Sequence, residues 1–236
     1  EEAIFLIWFF EETTMCGIFG YVGKRQADSL LVNGLKCLEY RGYDSCGIAV
    51  KGSQVLVKKF VGRVSQLEGV KLPGTLGIAH TRWATHGSPS VENAHPHIDC
   101  SGKIAIVHNG IIENYLDLRE KLKKHIFRSN TDSELFAHLL EEHYKGNLKE
   151  AMTKMIAEVD GTYAVAAIHQ DQEEIVISRN GSPVVLGIGD GENFVASDIS
   201  PIIAHTRKVM YLEDFETAVI GAAGIAVYRN GTRLDR

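Results

Sequence analysis

The sequence has no pair of cysteines at CxxC spacing, no surplus of basic charge and no apolar run long enough to cross a membrane. Its four cysteines (Cys16, Cys37, Cys46 and Cys100) stand far apart, so neither a zinc site nor a disulfide framework is indicated, and a reduced cytoplasmic setting fits best. Lys and Arg number 25 against 30 Asp and Glu, a net charge of −5 with no basic stripe suited to a phosphate backbone, so nucleic acid is not expected as a partner. The apolar run Ala3–Phe10 lies between Glu1-Glu2 and Glu11-Glu12. It falls well short of the roughly 20 residues of a membrane span and lacks the positive leading region of a secretory signal. Internal repeats and low-complexity segments are also lacking. The 236 residues, 44% of them apolar and 23% charged, are enough for one domain with a full core.

What is there begins with Cys16-Gly17-Ile18-Phe19-Gly20, a cysteine opening a short apolar strand. If Cys16 is the mature N-terminus, its own α-amine, titrating near about 8, can accept the thiol proton through a water and make one residue both nucleophile and base. A buried strand cysteine is the plain alternative. Residues 1–15 are accordingly expected to be a propeptide or an upstream extension from a misplaced start. The second is favoured, because Met15 directly precedes a small residue that methionine trimming would expose. With the extension attached, Cys16 is blocked and the chain should be inactive.

Leu30, Leu31, Val32, Leu35 and Leu38 recur at helical spacing, which predicts a helix over Ala27–Glu39. Strands are expected at Cys46–Lys51 and Val55–Phe60, paired as a hairpin, and at Leu76–Ala79. The polar turn Leu38–Ser45 contains Arg41. The stretch His80-Thr81-Arg82-Trp83-Ala84-Thr85-His86-Gly87 is dense in hydrogen-bonding groups, and the fork of Arg82 can hold a carboxylate bidentately. His95-Pro96-His97 resembles a metal pair only superficially, since a proline separates the imidazoles and no carboxylate cluster accompanies them; no metal is expected. A strand Ile104–His108 should deliver Asn109-Gly110 at its end, where an Asn amide beside a Gly N–H makes an oxyanion hole or a plain turn. A helix through Lys124 follows. One polar residue of Thr131-Asp132-Ser133-Glu134 should cap a helix running to about Tyr144, and Asp132 could also accept an ammonium. After a helix at Leu148–Val159 the chain is strand-rich, with glycine turns that favour antiparallel pairing.

Together, Cys16–Gly20, Leu38–Ser45 (LEYRGYDS), His80–Gly87 (HTRWATHG), Asn93–His97, His108–Asn114 (HNGIIEN) and Thr131–Glu134 make residues 16–236 resemble the class II glutamine amidotransferase domain of the N-terminal-nucleophile hydrolases. Within that class the match is close to the glutaminase domain of the glutamine–fructose-6-phosphate aminotransferase (glucosamine-6-phosphate synthase) branch. The amidophosphoribosyltransferase branch usually reads RGQEG where this chain has Arg41–Ser45. The resemblance implies an α+β fold, a four-layer αββα sandwich of two mainly antiparallel sheets between helical layers. It implies L-glutamine as substrate, no cofactor, Cys16 as nucleophile, and Asn109 with Gly110 for the oxyanion. It also implies Arg82 for the substrate carboxylate, Asp132 for its ammonium, Trp83, Thr85 and His86 in a closing loop, and Arg41 as a brace for Cys16. Fructose 6-phosphate and a homodimer enter only through isomerase domains that this sequence lacks. The competing readings are another or free-standing class II amidotransferase, and a catalytically silent binding module.

Overall fold

A computed structural model describes residues 16–83 and 87–236. The chain runs β1 (Gly17–Val22), α1 (Ala27–Leu38), β2 (Ser45–Lys51), β3 (Val55–Val61), β4 (Leu76–Arg82), β5 (His97–Ile98), β6 (Ile104–Ile112), α2 (Tyr115–Lys121), α3 (Glu134–His143) and α4 (Leu148–Ile156). The rest is β7 (Gly161–His169), β8 (Glu174–Asn180), β9 (Val185–Ile188), β10 (Asn193–Ala196), β11 (Val209–Tyr211), β12 (Glu216–Gly221), β13 (Gly224–Arg229) and β14 (Thr232–Arg233).

These strands form two seven-stranded sheets, ordered β11-β9-β10-β1-β4-β2-β3 and β14-β13-β12-β8-β7-β6-β5. All the pairings are antiparallel, as the glycine turns imply. Side chains alternate across each strand, so each sheet has two apolar faces to cover. On β1, Ile18 and Val22 point into the space between the sheets with Ile78, Val107, Ala166 and Ile177. Phe19 and Tyr21 point the other way and pack with Leu31, Leu35 and Leu38 of α1. On the far side, Ile106 and Val165 meet Leu135, Phe136 and Met152 of the remaining helices. Layers of helix, sheet, sheet and helix follow, the expected α+β sandwich. Full burial of a Leu or Phe contributes about 1.5–3 kcal/mol, so each apolar interface is a main source of stability.

Two expectations need correction. Asn109 and Gly110 do not lie at a strand end: β6 runs through them to Ile112, which pairs with Gly161. Continuation needs glycine at 110, where φ is +137° and an added Cβ would sit 2.0 Å from the Thr162 carbonyl oxygen. Gly110→Ala should therefore cost roughly 2–4 kcal/mol, read as a lowered urea midpoint; an unchanged midpoint would show that the β6–β7 ladder gives way freely. Secondly, no side chain among the described residues caps α3. Ser133 occupies the N-cap without a capping bond. The Asp132 carboxylate instead accepts the Ile112 N–H at 2.9 Å, and Glu134 accepts the N–H groups of Arg128 and Ser129.

Candidate active site

Cys16 stands immediately before β1, beside the end of β4. β4 pairs directly with β1 and carries Arg82 and, one residue on, Trp83. The Cys16 Sγ accepts the Trp83 N–H at 3.3 Å and faces its carbonyl oxygen at 3.6 Å. Burial pushes the Cys16 thiol up, opposed by the Trp83 N–H and by the guanidinium groups of Arg82 and Arg41. The thiol therefore stays protonated unless a base takes its proton.

Its carbonyl is held from two directions. Arg41 Nε donates to Cys16 O at 3.3 Å and Asn109 Nδ2 donates to it at 2.8 Å. The second Nδ2 contact of Asn109 is Ser197 Oγ at 3.0 Å, and Ser197 Oγ in turn accepts the Ile18 N–H at 2.8 Å. Asn109 Oδ1 lies 2.9 Å from His80 Nε2, which also faces the His108 carbonyl at 3.1 Å. Both are acceptors, so His80 carries its proton on Nε2.

Around this point a small cavity of about 50 Å³ is lined by Cys16, Arg82, Trp83, Asn109, Gly110 and Asp132, with His95, His108, Ile111, Thr131 and Ser133 completing the wall. The structure thus brings together every expected site residue that it describes, with Arg41 just behind Cys16. Thr85 and His86 lie outside the described residues. Burial lowers Arg82, while the nearby acidic groups Cys16, Asp132 and Asp44 oppose the shift and favour its charge. A guanidinium beside a thiol and across from a carboxylate suits a zwitterion: carboxylate toward Arg82, ammonium toward Asp132. Trp83 meets Tyr43 edge to face at 5.2 Å between ring centres, which fixes the indole beside the cavity mouth.

Beneath the cavity lie four buried imidazoles that sequence reasoning did not use as a group. His80 stacks on His95 at 4.1 Å and His95 meets His97 at 4.5 Å. His95 Nδ1 accepts the His108 N–H, and His108 Nδ1 pairs with Ser133 Oγ at 2.8 Å. Burial pulls His80 down to about 3 and His108 to about 4, and holds His95 and His97 well below the usual imidazole range. His95 and His97, which flank Pro96 in the sequence, spend their rings on stacking and on Thr131 Oγ1.

A family profile described as a glutamine amidotransferase domain matches residues 80–204, more than half of the chain. The chain belongs to this family. Among curated relatives, glutamine–fructose-6-phosphate aminotransferase [isomerizing] of Thermus thermophilus is 52% identical over 220 residues, covering 90% of this chain and 36% of the relative. The protein of the same name from Pyrococcus horikoshii is 48% identical over 216 residues, 87% of this chain and again 36% of the relative. The amidotransferase domain described here thus spans little more than a third of the length of these relatives. Among solved structures, a glutamine phosphoribosylpyrophosphate amidotransferase from B. subtilis, complexed with ADP and GMP, superposes with a TM-score of 0.79 at 25% identity, covering 94% of this chain and 50% of that one. Sequence therefore draws the chain toward the fructose-6-phosphate branch, and the shared sandwich joins the two branches. Among the described residues no helix is long and apolar enough to cross a membrane.

Proposed function

We propose that residues 16–236 hydrolyse L-glutamine, with Cys16 as nucleophile, and that residues 1–15 must be removed to free its amine. The observation that carries this reading is the convergence on one cavity of the Cys16 thiol, the Arg82 guanidinium, the Asp132 carboxylate and the Asn109-Gly110 pair. Arg82 holds the substrate carboxylate and Asp132 its ammonium, which sets the side-chain amide over Sγ. The thiol proton passes to the α-amine, sulfur adds to the amide carbon, and the negative oxygen takes hydrogen bonds from Asn109 Nδ2 and Gly110 N–H. For this Asn109 shares a hydrogen now given to Ser197 Oγ. The carbon–nitrogen bond then breaks, the amine returns the proton, and ammonia leaves behind a γ-glutamyl thioester. Water hydrolyses the thioester to glutamate and restores the thiol. Trp83, with Thr85 and His86, belongs to the segment that covers bound glutamine, and Arg41 braces Cys16.

In its whole protein, the domain supplies ammonia for amino transfer to fructose 6-phosphate in a homodimer in the cytoplasm, the sugar phosphate being bound outside this chain. The similarity to aminotransferases of that name supports this, as does the Arg41–Ser45 sequence.

The test is intact-mass analysis after exposure to an electrophilic glutamine analogue. One adduct is expected, on the Cys16 peptide, and Cys16→Ala should abolish it. An adduct that persists in Cys16→Ala would overturn the assignment. Arg82→Ala should raise KM for glutamine by about 100-fold, the loss of roughly 3 kcal/mol of charge-assisted bonding, with a smaller change in kcat. An unchanged KM would remove Arg82 from substrate binding.

A further inference from the structure

Far along β5 and β6 from Cys16, at the turn that joins them, a second group of reactive side chains converges. Cys100 sits in that turn, His125 in the segment between α2 and α3, and His138 and Glu141 one turn apart on α3. One donor atom from each, Cys100 Sγ, His125 Nδ1, His138 Nδ1 and a Glu141 oxygen, lies within 4.8 Å of all the others. We propose that this is a structural zinc site.

The distances fit a tetrahedron. Zinc bonds of about 2.3 Å to sulfur and 2.0–2.1 Å to nitrogen place sulfur and nitrogen about 3.6 Å apart at tetrahedral angles. Cys100 Sγ lies 3.6 Å from His125 Nδ1 and 3.6 Å from His138 Nδ1. Nitrogen and oxygen ligands should be about 3.4 Å apart on the same bond lengths. Glu141 Oε2 lies 2.9 Å from His125 Nδ1 and 3.7 Å from His138 Nδ1, one on each side of that value.

Four potential ligand atoms from three separate parts of the chain meet at one point. Both imidazole Nδ1 atoms face the sulfur at the same 3.6 Å, the spacing that a shared cation bound to a thiolate would set. The surroundings are those of an outer shell. Ile126 N–H donates to Cys100 Sγ at 3.4 Å and Cys100 N–H to Glu141 Oε2 at 3.0 Å, each supporting negative charge on a ligand atom. His125 Nε2 meets Glu142 Oε1 at 2.9 Å, and His138 Nε2 faces Glu134 Oε1 at 3.6 Å, so each ring has a carboxylate on the side away from the centre. The His125 and His138 side chains are only 8% and 1% exposed, while Cys100 lies at the surface, open to an incoming ion.

One thiolate, two imidazoles and one carboxylate give the mixed soft and borderline donors that zinc accepts, and four protein ligands leave no open position. The ion's role is therefore to hold structure. It ties the β5–β6 turn and the segment before α3 to α3 itself, the helix whose start follows Asp132. Binding displaces the thiol proton to solvent, so affinity falls as pH falls.

The test starts from the full chain, stripped with a chelator, incubated with zinc and desalted. One equivalent of zinc should remain and the melting temperature should rise. Cobalt should give a tetrahedral visible spectrum with a near-ultraviolet thiolate charge-transfer band that persists in Cys37→Ser and Cys16→Ala. Cys100→Ser should lose the band, and its zinc affinity should fall by more than the roughly 10–100-fold that loss of an outer-shell partner costs. His125→Gln supplies a second variant if Cys100→Ser does not fold, and should weaken zinc to a similar extent. Zinc well below one equivalent in the unmutated protein, or a charge-transfer band retained in Cys100→Ser or zinc affinity retained in His125→Gln, would overturn the assignment.

Discussion

Protein that begins at Cys16 is expected to hydrolyse glutamine roughly 10²–10⁴-fold faster than the same chain carrying residues 1–15, the range general-base assistance contributes. Burial keeps the Cys16 thiol protonated, and Trp83, which supplies both hydrogen-bond contacts to Sγ among the described residues, does so through a backbone N–H and carbonyl. Neither can take a proton. In the extended chain the Cys16 nitrogen is an amide, which is no base either. The rate for the trimmed protein should rise with pH through the range of an α-amine, near 8. Steady-state ammonia release from both forms, each verified by intact mass, checks this. Equal rates would place the base elsewhere.

The second large effect is on stability. His80, His95, His97 and His108 are buried with depressed pKa values, His80 at about 3 and His108 at about 4. In the unfolded chain each returns to about 6.5 and binds a proton below that pH, so the unfolded state gains protons that the folded state does not. The stability these groups confer is complete above about pH 6.5 and is lost as pH falls from there toward the folded values. Between pH 6.5 and 5.5 the loss is about 1 kcal/mol per imidazole, about 4 kcal/mol for all four, a large share of the 5–15 kcal/mol typical of a domain. Urea titrations at the two pH values measure it. A difference under about 1 kcal/mol would mean that the rings are hydrated or already charged in the folded protein.

Elements with strong local periodicity are legible in the sequence. The helix expected over Ala27–Glu39 forms as Ala27–Leu38, and the hairpin strands expected at Cys46–Lys51 and Val55–Phe60 form as Ser45–Lys51 and Val55–Val61. Asn109-Gly110 misleads because an Asn-Gly pair resembles a turn, whereas Thr162 and Gly161 across the ladder draw the strand onward. The α3 cap misleads because Asp132 answers to Ile112, a residue on another element. Ser197 gives no local signal at all: its role depends on contacts 88 and 179 positions away. The zinc ligands are equally hidden, since only His138 and Glu141 share an element and Cys100 has no neighbouring cysteine.

The bonds of Asn109 span the two layers. It stands on β6 of one sheet, while His80 stands on β4 of the other, and Cys16 and Ser197 directly flank that sheet's β1 and β10. Apolar faces alone tolerate sliding, because dispersion and burial change little with a small lateral shift. Directional bonds do not, so this polar rivet fixes the alignment of one sheet on the other at the edge of an otherwise greasy seam. On the proposed mechanism, turnover thus becomes a gauge of interlayer alignment: a shear too slight to alter the circular dichroism of either sheet would already part the Cys16 thiol from the Asn109 amide.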